Sequence, residues 1–378
     1  MDGPGLYIHI PFCRTKCGYC AFDSQPWPGE GPEDYLQALL QELKQAAAGW
    51  GQGRRFASLF VGGGTPTIYR GPALAELLVN CRERFAWVEN PEITLECNPN
   101  TVTAGDLGRC RAAGANRLSL GVQSFSDRLL KRLGRSHTAT QARQAVIKAR
   151  QAGFANLNLD LIYGLPGQTS TDWRQSLQAA LALEPEHLAL YELSVEPGTP
   201  FHAQRTAGKL VLPEDDRVAE MAELANELLF AHGYRRYEIS NYARPGFACR
   251  HNLNYWENGP YLGLGAGAVS SFDGLRLKNL PPPDQYQARI TAGLPAFLEG
   301  EALSLEASFR ETVILGLRML AGVNLAALHE RYGLDPLAYY GPALPRLKAQ
   351  GLVDYDHLRL WLTARALPVA NQVLSLLV

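Results

Sequence analysis

The chain has 378 residues, 46% of them hydrophobic and 19% charged, with 36 basic against 37 acidic side chains and a formal net charge of −1. That length exceeds one ordinary compact core but suits a parallel α/β barrel carrying a smaller appendage. No apolar stretch approaches the roughly 20 residues of a bilayer span and no basic-apolar-small leader opens at Met1, so the expected setting is cytoplasmic with at most peripheral membrane association. Near-neutral charge supplies no field for polyanions, and nucleic acid is not an expected partner.

Short β-branched apolar runs alternate with helical periodicity through the first half, the pattern of repeated strand-helix units on a parallel sheet. Strands are predicted over 6–10, 58–61, 92–96, 117–121, 157–163 and 187–193. Helices fall between them over 32–48, 72–85, 104–113, 139–152 and 171–183. Six such units make an incomplete (β/α)6 barrel over residues 1–200. From 196 to about 283 the alternation lapses into turn-rich sequence with one helix over 213–232 and a glycine-rich run over 259–267. Residues 201–300 are therefore expected to form a β-containing extension covering the barrel. Residues 301–378 return to helical period and end in two alternating halves around Asp354-Tyr355-Asp356, a small C-terminal winged-helix-like domain. Few Lys or Arg lie on its candidate recognition segments, which favours a structural or docking role over DNA binding.

Seven cysteines are present, and three of them, Cys13, Cys17 and Cys20, fall within eight residues. Disulfide frameworks belong to small secreted chains, whereas a tight cluster in a cytosolic-looking chain indicates metal or redox chemistry. Cys81, Cys97, Cys110 and Cys249 are scattered and read as small buried apolar residues. C-x3-C-x2-C offers three thiolates from one loop. A structural zinc site wants four closed ligands, usually as two separated pairs, and no second pair exists. Three thiolates on four irons would leave one iron open to an exogenous ligand.

Gly62-Gly63-Gly64-Thr65-Pro66-Thr67 follows the second predicted strand, where bare backbone can approach a ligand closely. Polar residues recur toward the C-terminal ends of consecutive strands, where barrels keep their chemistry: Glu96 after the third, Gln123 after the fourth and Asp160 inside the fifth.

The cysteine spacing with Tyr19 before the third cysteine resembles the signature of the radical S-adenosylmethionine (radical SAM) superfamily. That resemblance implies a [4Fe-4S] cluster on Cys13, Cys17 and Cys20, and S-adenosylmethionine contacts from Tyr7, Tyr19, Gly63, Gly64, Thr65, Glu96, Gln123, Arg135 and Asp160. A carboxylate suits ribose hydroxyls and an ammonium, and a guanidinium suits a carboxylate. Within the superfamily the chain is similar to two sister groups, the oxygen-independent coproporphyrinogen III oxidases and the HemW heme chaperones. The oxidases carry a fourth cysteine two residues past the third, where this chain has Phe22, and they carry a longer arm than the six residues before Tyr7. Both departures favour the chaperones.

Cys249-Arg250-His251-Asn252-Leu253-Asn254-Tyr255-Trp256 resembles the chaperones' heme-handling motif. His251 is the expected heme ligand and Cys249 the alternative, with Tyr255 and Trp256 stacking on the porphyrin. His9 and His137 are expected to be structural. The resemblance thus implies a chaperone that carries heme to an apo-hemoprotein, such as one of the respiratory chain, with an electron donor and with cluster and S-adenosylmethionine serving structure, dimerisation or transfer. A homodimer stays open and no catalytic residue is assigned. The rival is radical oxidative decarboxylation of coproporphyrinogen III in porphyrin biosynthesis. A third reading, a winged-helix regulator with an iron-sulfur sensor, leaves the strand-end residues unexplained.

Overall fold

The computed structural model describes residues 3–27, 29–272 and 274–378. Six parallel strands, Gly5–Ile10, Arg55–Gly63, Ala86–Cys97, Arg117–Gln123, Asn156–Tyr163 and His187–Glu192, lie side by side in chain order. Each is followed by helix, with principal helices Glu33–Ala48, Gly71–Arg84, Ala104–Ala112, Ala139–Gln151, Ser170–Leu181 and Asp215–Ala231. Thr138 with Gln141 and Thr169 with Asp172 form capping boxes that satisfy the first N–H groups of two of these helices.

Strand alternation divides the barrel into two environments. Leu6, Ile8, Leu59, Val61, Ile93, Leu95, Leu118, Leu120, Leu157, Leu159 and Leu188 pack outward in one continuous apolar core. Each such side chain contributes about 1.5–3 kcal/mol on burial. The alternate positions, among them Glu96, Arg117, Ser119, Asn158, Asp160 and His187, face an interior cavity. The barrel is therefore filled from outside by helices and kept polar within.

The expected extension continues the same sheet. Beside the first strand, Tyr261–Leu264 pairs in parallel, and Val269–Phe272, Leu275–Asn279 and Phe297–Ala302 follow antiparallel. Beside the sixth, Asn241–Ala243 and Arg235–Arg236 add antiparallel partners, giving twelve strands. The glycine-rich run thus holds a strand that reads as a turn in sequence. A Cβ at Gly263 would fall 2.1 Å from the Val269 carbonyl oxygen, so the returning chain fits only against glycine.

Beyond it, helices Leu305–Gly316, Leu325–Tyr332, Pro336–Tyr340 and Ala343–Ala349 pack with a three-stranded sheet of Val323–Asn324, Arg359–Leu362 and Val353–Tyr355 around a second core centred on Phe309, Leu344, Leu347 and Leu360. Among the described residues no helix is long and apolar enough to cross a membrane.

Candidate functional site

The first strand runs directly into the cysteine loop. Phe12–Cys13 pairs in parallel with Gln25–Pro26, and the Trp27 N–H donates to the Cys13 carbonyl at 2.7 Å, closing the loop on itself. Its middle is docked from two sides: Gly18 donates to the Leu133 carbonyl at 3.1 Å and accepts from the Phe201 N–H at 2.9 Å. A Cβ at Gly18 would lie 2.7 Å from the Phe201 ring, so glycine is required there. Helix Asp127–Leu133, which supplies one dock, is short enough to escape sequence periodicity.

Cys13 and Cys20 are half-buried and Cys17 is buried; all three are free thiols. The Thr65 hydroxyl donates to Cys13 Sγ at 3.5 Å, and Arg135 Nη1 donates to Cys17 Sγ at 3.6 Å. Burial pushes the Cys13 thiol above its ordinary range and the Thr65 bond opposes that. Among the described residues no three His, Cys, Asp or Glu side chains converge on a single ion. Three thiolates from one loop fit the donor chemistry of an iron-sulfur cluster, whose negative charge the Arg135 guanidinium beside Cys17 would offset.

The glycine loop after the second strand lies against this one. Gly64 donates to the Ile10 carbonyl and Thr65 to that of Phe12, both at 2.8 Å. Gly63 has φ +112°, and a Cβ there would meet the His9 ring at 2.7 Å; at Gly64 it would meet the Phe12 carbonyl oxygen at 2.6 Å. Only glycine lets the backbone sit here. The Gly63 N–H donates to Glu96 Oε2 at 3.2 Å, tying the loop to the third strand.

A cavity of about 490 Å³ opens beneath, and it brings Tyr19, Cys20, Glu96, Gln123 and Asp160 onto one surface from across 142 positions of sequence, with exposed Phe22 at the same wall. Gln123 sits at a register shift between the fourth and fifth strands with φ +65°, a conformation costly for a non-glycine residue and often found at functional positions. Asp160 accepts from Asn158 Nδ2 at 2.7 Å and from the Ser119 hydroxyl at 3.4 Å. Enclosure raises its pKa to about 6 against those bonds. Enclosure, and then the Asp160 charge, raises that of Glu96 to about 8. Tyr7, Gly63, Gly64, Thr65 and Arg135 stand beside the cavity rather than on its lining. Tyr7 hydrogen-bonds His9 Nδ1 at 2.8 Å, and Arg135 Nη2 donates to the Gly121 carbonyl at 2.7 Å. His9 and His137 are engaged with backbone carbonyls of Asp23 and Val122.

The Cys249–Trp256 motif forms a short helix, Arg250–Trp256, packed against the inward face of the second strand at Ser58 and Phe60, with Asn252 on the cavity lining. His251 is 1% exposed; Nδ1 bonds the Ser58 hydroxyl at 2.8 Å, Nε2 meets the Tyr255 hydroxyl at 3.1 Å, and the ring stacks on Phe60 at 5.1 Å. Burial, reinforced by Arg117, lowers its pKa to about 3. Cys249 is fully buried beside Glu92 Oε1 at 3.4 Å, its thiol pushed up to about 12 chiefly by burial. In this conformation, then, neither expected heme ligand has an open atom: the helix turns both inward, where Ser58 and Tyr255 engage the imidazole and Glu92 the thiol. Trp256 lies under the Arg318 guanidinium at 4.7 Å.

Sequence reading overlooked Arg117, Asn158 and His187, which line the lower cavity. The signal for the first two was a polar residue at every second position of Arg117-Leu118-Ser119-Leu120 and Asn156-Leu157-Asn158-Leu159-Asp160.

Residues 7–180 match the family described as the Radical SAM superfamily, and residues 303–369 match the HemN C-terminal domain. The chain is 37% identical to the heme chaperone HemW of Bacillus subtilis over 97% of both chains. It is 38% identical to that of Mycobacterium tuberculosis over 99% of this chain and 94% of the relative. Against HemW of Escherichia coli the identity is 46% over 70% of this chain and 68% of the relative. Among solved structures, the coproporphyrinogen III oxidase HemN of Escherichia coli superposes with a TM-score of 0.86 at 27% identity, over 100% of this chain and 90% of that one.

Proposed function

This chain belongs to the HemW heme-chaperone family, and from that membership we propose that it binds heme and delivers it to an apo-hemoprotein. The observation that carries this reading is the 37% identity sustained over 97% of both chains, which leaves no large part of the fold outside the comparison. A respiratory-chain acceptor, an electron donor and a cytoplasmic setting complete it.

The radical SAM family implies a [4Fe-4S] cluster and S-adenosylmethionine, and the donor set and glycine cradle fit them. Cys13, Cys17 and Cys20 would hold the cluster. Glu96 and Asp160 would take the ammonium and ribose hydroxyls, Gly63, Gly64 and Thr65 would present backbone to the methionine end, and Gln123, Tyr7 and Tyr19 would complete the wall. When bound, these groups supply one-electron cleavage of a sulfonium carbon–sulfur bond. The chain's own contribution is positional. Arg135 holds positive charge between Cys17 and the Gly121 carbonyl, Thr65 steadies Cys13, and the Glu96 and Asp160 carboxylates face the cavity, where they would meet the cofactor. The Arg250–Trp256 helix is the heme-handling element in this reading. His251, or Cys249, reaches heme iron by exchanging its present partners for the metal, with Tyr255 and Trp256 against the porphyrin.

A second reading, coproporphyrinogen III decarboxylation, draws on the 0.86 TM-score to HemN. Phe22, 70% exposed where the oxidases carry a further cysteine, speaks against it. Anoxically reconstituted protein, given S-adenosylmethionine and reductant, is offered heme in one vessel and coproporphyrinogen III in another. Stoichiometric heme uptake and its transfer to an apo-hemoprotein without decarboxylated product are expected; multiple-turnover decarboxylation overturns the chaperone reading.

A further inference from the structure

Arg117 opens the fourth strand and points inward by the same alternation that aims Ser119 at the cavity. It is 2% exposed, yet its guanidinium makes no hydrogen bond and no ion pair among the described residues, and Nε is without any partner. The nearby carboxylates of Glu92 and Asp160 favour its charge through space without hydrogen-bonding it. Glu92 accepts from the Arg250 and His251 N–H groups and from Cys249, while Asp160 is held by Asn158 and Ser119. Thr94, paired in register with Arg117 on the third strand and fully buried, leaves its hydroxyl unpartnered at the same level.

Arginine does not shed its proton in a protein, so burial cannot neutralise it as it would a lysine or carboxylate. Nearby carboxylates balance that charge but leave its buried N–H donors unpaired, at a cost of about 1–3 kcal/mol. Water would relieve part of that cost; a planar anion would relieve more, because the guanidinium fork matches a carboxylate through two parallel bonds. Arg117 lines the same cavity as Glu96 and Gln123, so an elongated ligand entering at the rim has a continuous path to it.

We propose that the floor of the barrel cavity is a carboxylate subsite, in which Arg117, assisted by the Thr94 hydroxyl, receives a propionate arm of the tetrapyrrole cargo. The identity of the arm rests on the heme reading above; the subsite itself does not, since a small carboxylic acid offers the same chemistry.

The test uses the anoxically reconstituted full chain and two kinds of probe. Heme and its dimethyl ester are titrated into wild type, Arg117→Gln, Arg117→Lys and Thr94→Val, and separately the melting temperature is followed with millimolar propionate. Wild type should bind heme at least tenfold more tightly than the ester, Arg117→Lys should keep part of that preference, Thr94→Val should reduce it, and Arg117→Gln should abolish it. Propionate should raise the melting temperature only where residue 117 is cationic. If Arg117→Gln does not fold, a diminished preference in Arg117→Lys carries the same conclusion. Equal preference in all variants with no propionate response overturns the subsite, whether or not heme binds. A residue-117-dependent propionate response without heme binding upholds the subsite and sinks the heme reading.

Discussion

The Glu92 side chain caps the helix that carries His251: Oε1 accepts the His251 N–H at 3.1 Å and Oε2 that of Arg250 at 3.0 Å. The seven-residue helix has no cap from its own Cys249, so a strand residue 159 positions away satisfies its orphan donors. Glu92→Ala is expected to cost about 1–3 kcal/mol, the penalty for buried donors left unpaired, and to loosen the whole His251 element. Chemical denaturation measures the first effect and hydrogen exchange at residues 250–256 the second. An unchanged midpoint with unchanged exchange would show that the cap is dispensable.

Because both His251 ring nitrogens are occupied and its ring is packed on Phe60, His251→Ala should destabilise the fold by about 2–4 kcal/mol, as truncation of buried rings does. Lost heme uptake in that variant is therefore informative only per folded molecule. Ser58→Ala supplies the control: it frees Nδ1 without removing the ring, and should leave heme uptake intact or raise it if His251 must release Ser58 to reach iron.

Serine at Cys13, Cys17 or Cys20 is expected to abolish retained iron and sulfide after anoxic reconstitution. Serine at Cys81 or Cys110, both buried in the outer core, should leave iron content unchanged. Iron analysis with EPR of the reduced protein distinguishes the two sets, and equal iron in all five variants would refute the assignment.

Glu96 has a pKa near 8, so at neutral pH most of it is protonated and must lose its proton before it can serve a cationic ligand. S-adenosylmethionine affinity should therefore rise between pH 6 and 8, by at most about tenfold per pH unit, and level off above. In Glu96→Gln the affinity should be weaker, with any remaining rise confined to the lower end of that range, where Asp160, its pKa raised to about 6, still titrates. Equilibrium binding across the series decides this, and a pH-independent wild type would exclude a deprotonated Glu96 from the contact.

Glu42, on the first long helix, is buried beneath the extension, where its carboxyl meets the Tyr286 hydroxyl, the Gly265 N–H and Asn279 Nδ2, each at 2.7 Å. Burial still raises its pKa to about 7. The folded state thus holds a proton that the unfolded chain releases near pH 4.5. Its stabilising contribution is complete below that pH and is lost as pH rises through about 7, an effect of about 3 kcal/mol. Wild type should accordingly lose stability relative to Glu42→Gln between pH 5 and pH 8 in urea titrations. A constant gap would contradict the raised value.

Hydrophobic periodicity and close spacing are local properties, and what depends on them was legible along the chain: the six strand-helix units, the C-x3-C-x2-C loop, and the glycine run beside it. Even the polar positions could be placed, Glu96 and Gln123 at strand ends and Asp160 within the fifth strand, since chain order and strand order coincide through the barrel. The strand at Tyr261–Leu264 escaped because glycine at 263 lowers β-propensity for a reason visible only in the neighbouring Val269 carbonyl. Pairings across the sheet likewise needed the fold. No local pattern announces that Glu92 will cap the His251 helix, that Ser58 and Tyr255 will occupy its imidazole, or that Arg117 will be enclosed without a partner. Those outcomes depend on which side chains face one another across strands joined by long crossovers, and on how much charge the chosen cavity walls have already neutralised; composition and periodicity encode neither.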